Sequence, residues 1–203
     1  MRGMYGKSLS EHRTQTPAPS ISLTVRPDRA RFGVHLSVDA DSGAQGVSLL
    51  RRATVRLEEL LPSLRATLHV HDVDLPRDGG KTGGPSTLHA TLELPLALDA
   101  SVWERAERVA KVDDLLQSLA LEGRRQKPAL ELRRDLPAFI LSDPEAHREV
   151  LVQRLHERAR SLAGEAAQLH ALQFDRPVTQ QSLGLEEVVV SLPVEGTLSC
   201  GLR

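Results

Sequence analysis

The sequence predicts an α+β fold, a mixed and largely antiparallel sheet with about three amphipathic helices packed on one face. Three observations carry this expectation. Apolar and polar residues alternate in several short stretches, the period of a half-buried strand. Three longer stretches space their apolar residues three or four apart, the period of a helix with one buried face. Paired strands lie between helices along the chain, which favours antiparallel pairing over the strict alternation of parallel folds.

The elements follow in order. Residues 1–20 are rich in Ser, Thr, Pro and charge and read as a disordered arm, with a single domain expected over 21–203. Ile21 to Val25 alternates and is β-branched, a strand, and Arg26-Pro27-Asp28 turns the chain. Arg31 to Ala40 alternates again, with Phe32, Val34, Leu36 and Val38 on one face and His35 and Ser37 on the other. Ser42 and Gln45 form a candidate capping box for a helix to about Leu61, with Val47, Leu50, Ala53, Leu57, Leu60 and Leu64 inward. Pro62 ends that helix or tightens its last turn.

Arg65 to Leu75 is the next strand, Asp78 to Pro85 a glycine-rich loop, and Thr87 to Leu98 a strand whose Pro95 indicates an edge or a bulge. Ser101 caps a helix from Val102 to about Leu121, with Ala106, Val109, Val112 or Asp113, Leu116 and Leu119 or Ala120 inward and Gly123 as a stop. Ala129 to Leu141 is strand-like and broken by Pro137. The longest periodic stretch is Ser142 to Leu169: Asp143 caps it, Pro144 suits its first position, and Leu151, Leu155, Ala159, Leu162, Ala166 and Leu169 share a face. A connector runs from Phe174 to Gly184, and Glu187 to Leu202 is a last strand or a bent pair.

Two segments carry a family resemblance. The first is Val25-Arg26-Pro27-Asp28-Arg29-Ala30-Arg31-Phe32-Gly33-Val34. The second is Phe139-Ile140-Leu141-Ser142-Asp143-Pro144-Glu145-Ala146. Together, and with the strand Leu88 to Leu98 and the helix Val102 to Leu119 between them, they resemble the SIMPL domain family, which includes an immunogenic envelope protein of pathogenic bacteria. The resemblance spans about Ser20 to the end. It implies the same α+β fold and homo-oligomeric assembly, and it supplies no catalytic residues. The chain departs from the family in its glycine-free first strand and in Leu155 and Leu162 where the family favours Ala, and residues 1–20 do not read as the export signal that family members usually carry.

Bulk properties restrict the function. The chain has 203 residues, 40% hydrophobic and 26% charged, the composition of a globular domain. Lys plus Arg total 26 and Asp plus Glu total 27, so a net charge of −1 offers no footprint for nucleic acid or an anionic membrane. Aromatics at 2% offer no stacking platform for bases. One cysteine, Cys200, excludes an internal disulfide and reads as a small hydrophobe. No run reaches the ~20 apolar residues of a membrane span, and residues 1–20 lack a secretory core. The chain as written is expected in the cytoplasm; a start further upstream would allow a periplasmic or envelope location.

The candidate chemistry is sparse. Gly80-Lys81-Thr82 ends like a phosphate loop, but Leu75 stands where the motif needs glycine and a strand follows instead of a helix. His69 and His71 flank Val70 and point one way on a strand. With His89 on the neighbouring strand they form a candidate three-imidazole zinc site, with Asp72 and Asp74 on the opposite face. The plain alternative is a water-facing strand whose Leu68 and Val70 pack inward. Asp113-Asp114 with Glu122, and the doublets Arg51-Arg52, Arg124-Arg125 and Arg133-Arg134, read as solvated charge and surface ion pairs. Ser191, Ser199, Cys200 and His170 match no nucleophile motif. Trp103, the single tryptophan, is the candidate anchor of a subunit contact.

The leading expectation is therefore a non-catalytic domain, without cofactor or metal, that self-associates or binds other proteins in an envelope or stress role. The alternative is a metal-dependent hydrolase using His69, His71 and His89.

Overall fold

A computed structural model of the chain describes residues 16–17, 21–75, 85–163, 167–173 and 176–200, with the side chains of 16–17, 162–173 and 195–200 left aside. The fold is α+β. The order is β1 (Thr16–Pro17), β2 (Ile21–Val25), β3 (Arg29–Val38), α1 (Gly43–Leu60), β4 (Thr67–Asp74), β5 (Ser86–Pro95), α2 (Val102–Arg124), β6 (Leu130–Arg134), β7 (Ala138–Ile140), α3 (Arg148–Ala163), β8 (Ala167–Gln173), β9 (Thr179–Ser182), β10 (Val188–Leu192) and β11 (Glu195–Cys200). Short 3-10 turns at Leu61–Leu64 and Pro144–His147 follow α1 and precede α3. The strands distribute over three sheets: β1-β11-β8, β2-β10-β9, and a five-stranded sheet ordered β4-β5-β3-β6 with β7 also beside β3.

The chain forms two compact units. One contains Thr24–Ser142 and Gln180–Val189; the other takes Asp143–Thr179 and the segments at both chain ends. In the first, β3 is central and antiparallel to β5, β6 and β7. Its Ala30, Phe32, Val34, Leu36 and Val38 are buried, as are Leu88, Ala90, Leu92 and Leu94 of β5. Strict alternation over ten residues turns one whole face of each strand inward. β6 and β7 lie in line along the same side of β3, at Val34–Val38 and Arg29–Arg31. Pro137, with no backbone donor, sits in the break between them.

Helix α1 packs on β3, β4 and β5, and α2 mainly on β6. Ser42 Oγ accepts the Gln45 amide, but the Gln45 side chain reaches back to the Asp41 amide, one residue beyond a capping box. Gly46, Leu50 and Leu57 are buried, whereas Val47 is exposed, so the inner face of α1 is rotated from the predicted one. The Ser101–Glu104 capping box on α2 is complete. That helix runs past Gly123, which is a packing contact and not a stop: a Cβ there would lie 2.5 Å from the Leu130 carbonyl oxygen. Pro95 does not mark an edge strand, because β5 lies between β4 and β3. It tolerates proline because β4 begins opposite Glu93, leaving Pro95 only β3 as a neighbour.

In the second unit, α3 buries Leu151, Leu155 and Ala159, and its neighbour is β8. The predicted helix over 142–169 is corrected at both ends. Asp143 and Pro144 start a 3-10 turn, with Asp143 Oδ1 accepting the Ala146 amide. The helix stops at Ala163, and Leu169 belongs to β8. Ala and Leu fit either period, so the apolar pattern ran on through a change of element. β9 likewise falls inside the predicted connector. The phosphate-loop-like Gly80-Lys81-Thr82, residues 1–15, Ala166, and the side chains of Leu162, His170, Ser199 and Cys200 lie outside the described residues. Among the described residues no helix is long and apolar enough to cross a membrane.

Candidate functional site

The face of β3 and β5 opposite the core is polar, because each odd position there carries a residue that tolerates water. Antiparallel register sets Arg31 directly across from Glu93 and His35 directly across from His89. Glu93 accepts from Arg29 Nη1 at 2.7 Å and from Arg31 Nη2 at 2.8 Å. Burial alone would raise the Glu93 pKa, but the hydrogen bonds and charges of Arg31 and Arg29 outweigh it, and the carboxyl lies below its ordinary value.

His35 Nδ1 and His89 Nδ1 are 2.7 Å apart, with the rings edge to face at 4.9 Å between centroids. One imidazole donates and the other accepts. Outward of them, His35 Nε2 lies 3.4 Å from Asp135 Oδ2, and His89 Nε2 lies 4.0 Å from Asp74 Oδ2. Gly33 makes room for Asp135, whose carboxylate occupies the place a Cβ would take. The result is a polar row, Asp74, His89, His35, Asp135, across β4, β5, β3 and the end of β6. Both imidazoles are over 40% exposed, so water reaches them and the row has no dry interior.

The structure divides the predicted histidine set. His89 meets His35, which sequence reasoning did not single out. His71 Nε2 pairs with Thr91 Oγ1 at 2.6 Å, and His69 Nε2 with Thr67 Oγ1 at 3.4 Å. The reason is a bulge between Val70 and Asp72, which shifts the β4 register by one residue. It also brings Asp74 to the His89 face, against the predicted alternation; Val70, in regular register opposite Ala90 before the bulge, is nonetheless 45% exposed rather than packed inward. Among the described residues no group of three or more His, Cys, Asp or Glu is placed to hold a metal ion. His35 was legible in principle: it sits mid-strand on the polar face of the most regular alternation in the chain.

A second feature lies at the start of α2. Trp103 is 78% exposed, and Leu98 and Val102 beside it in sequence are 58% and 42% exposed. Below this corner Arg105 is wholly buried. Its guanidinium donates to the carbonyls of Pro27 at 2.7 Å, Leu185 at 2.8 Å and Ala97 at 3.2 Å. Nε lies 3.1 Å from Glu186 Oε1, a charge contact without hydrogen-bond alignment. Burial lowers the Arg105 pKa, and Glu186 opposes the shift. Three backbone segments are thus tied to the first turn of α2, directly beneath the exposed tryptophan.

A third feature joins the two distant segments singled out in the sequence. Asp28 Oδ1 accepts the Ser142 amide at 2.7 Å, and Asp28 Oδ2 accepts the Ser142 hydroxyl at 2.5 Å. The Asp28 amide donates to Ile140 O at 3.1 Å. Two of the sequence-predicted surface charges meet partners across the fold or within a strand. Asp113 takes a two-pronged contact from Arg134, which lowers the Asp113 pKa, and Arg133 meets Glu131.

No family model matches the chain, and no curated protein matches it. The class that fold and geometry define is an α+β protein with a solvent-open polar sheet face and an exposed apolar corner.

Proposed function

We propose that this chain is a non-catalytic, SIMPL-like module that self-associates or engages another protein through the corner formed by Leu98, Val102 and Trp103. The observation that carries the reading is the 78% exposure of the only tryptophan on the first turn of a helix that Arg105 anchors within the same turn. An aromatic held on a rigid base loses little entropy on docking and is the side chain most often central to a protein contact. The two segments that carry the resemblance meet through the Asp28–Ser142 hydrogen bonds.

Light scattering over a wide concentration range tests the assembly. The apparent mass should rise above that of the 22.2 kDa chain. Trp103→Ser should weaken association by a factor of about 30 or more, the size of a central anchor residue. Emission from Trp103 should shift to shorter wavelength as the chain associates. A monomer at every concentration, or association indifferent to Trp103→Ser, refutes self-association through this corner.

A further inference from the structure

The polar face and the Trp103 corner leave one feature of the five-stranded unit unused. α1 and α2 lean on different strands, and the sheet is left open between the second half of α1 and the end of α2. The opening is a cleft of about 450 Å³, within the ~300–1,000 Å³ range of small-molecule pockets. Its floor is apolar: the part-buried Leu49 and Ala53 of α1 and Leu119 of α2, over the core residues Leu36, Leu130 and Leu132. At its α2 end the cleft is bounded by the close contact of Gly123 with the Leu130 backbone.

The rim has a sign. Arg52 and Arg56 of α1 and Lys127 after α2 line the cleft, against one carboxylate, Glu122. Arg56 reaches Glu59 only at 3.4 Å, with both side chains more than half exposed. Arg52 and Lys127 have no ion-pair partner among the described residues. What sets the two apart is their place: they line one cleft together with Arg56, facing a single carboxylate. The negative end of α2 is not aimed into the opening either: the carbonyls of Glu122 and Gly123 accept the amides of Arg125 and Gln126. Unneutralised cations over an apolar floor fit a molecule with the opposite charge at one end and hydrocarbon at the other.

We propose that this cleft binds a small anionic amphiphile, an apolar body bearing one carboxylate or phosphate. The body displaces water from Leu49, Ala53 and Leu119, and the head rests between Arg52 and Lys127. The site is separate from the Trp103 corner and does not depend on self-association.

Calorimetric titration of the full chain, below micelle-forming concentrations, tests it with dodecanoate, dodecyl phosphate and dodecyltrimethylammonium. Either anion should bind saturably at one per chain, and whichever binds tighter identifies the head group. The cation should not bind. Arg52→Ala and Lys127→Ala should each weaken binding about tenfold, the loss of one charge-assisted hydrogen bond. Arg51→Ala, one residue away on the same helix and outside the cleft, should change nothing. Equal binding of the cationic amphiphile, equal effects of Arg51→Ala and Arg52→Ala, or no saturable binding overturns the proposal. So does binding to anionic phospholipid vesicles without binding to the free amphiphiles, which would make the basic rim a membrane-surface contact.

Discussion

Arg105 is the side chain on which most of the local architecture depends. A guanidinium removed from water must recover its hydrogen bonds, and this one recovers them from three carbonyls on separate segments. Truncation would leave those carbonyls unpaired and remove a charge facing Glu186. Arg105→Ala should therefore cost on the order of 3 kcal/mol or more, read as a lower urea midpoint; a midpoint within error of the wild type would show that water replaces the guanidinium freely. The residue could have been found in the sequence. Positions 105, 109, 112, 116 and 119 continue one helical stripe, so Arg105 stands where an apolar residue is expected. Ala106, the predicted start of that face, is only part-buried. The same scale explains why the histidines divided: a partner across a strand pair is chosen by register, and one bulge residue changes register without leaving a sequence signal.

At the scale of elements, glycine marks where helices approach the sheet. In a helix interior Gly→Ala ordinarily stabilises by about 1 kcal/mol. At Gly123 a Cβ would meet the Leu130 carbonyl oxygen at 2.5 Å, a backbone atom that cannot turn aside. Gly123→Ala should reverse the usual sign and destabilise by roughly 1–3 kcal/mol, the cost of overpacking. Thermal denaturation measures it, and a raised melting temperature would mean that the end of α2 is free to lift. Gly46 in α1 meets the Ser86 side chain in a similar way. The boundaries of α3 make the complementary point. Its start and its buried stripe of Leu151, Leu155 and Ala159 were legible, because caps and period are local. Its end was not, because the Ala and Leu residues that follow serve β8 equally well.

At the scale of the whole molecule, two carboxylates link stability to pH, Glu93 on the polar sheet face and Asp113 on α2 against Arg134 of β6. The folded pKa values of Glu93 and Asp113 are held below their ordinary ones. The unfolded chain therefore binds protons more readily at these sites, and their contribution is complete above the ordinary carboxylate range. It is lost as pH falls through the lower folded values. Melting temperature should drop across that acid window, and Glu93→Gln should flatten the drop while lowering stability at neutral pH. An unchanged profile would show that the two arginines stabilise Glu93 no better than water does. Composition and period sufficed to establish the α+β class, the strands β2 to β5, the helix starts at Ser42 and Ser101, and the outward position of His35, since each depends only on neighbouring residues. Tertiary structure alone decided that the strands divide among three sheets, that His89 pairs with His35, that Arg105 is buried, that Asp28 holds Ser142, and that a basic-rimmed cleft opens between α1 and α2. All of these are contacts between residues far apart in the chain, and such contacts are set by pairing register and helix placement, which no local pattern encodes.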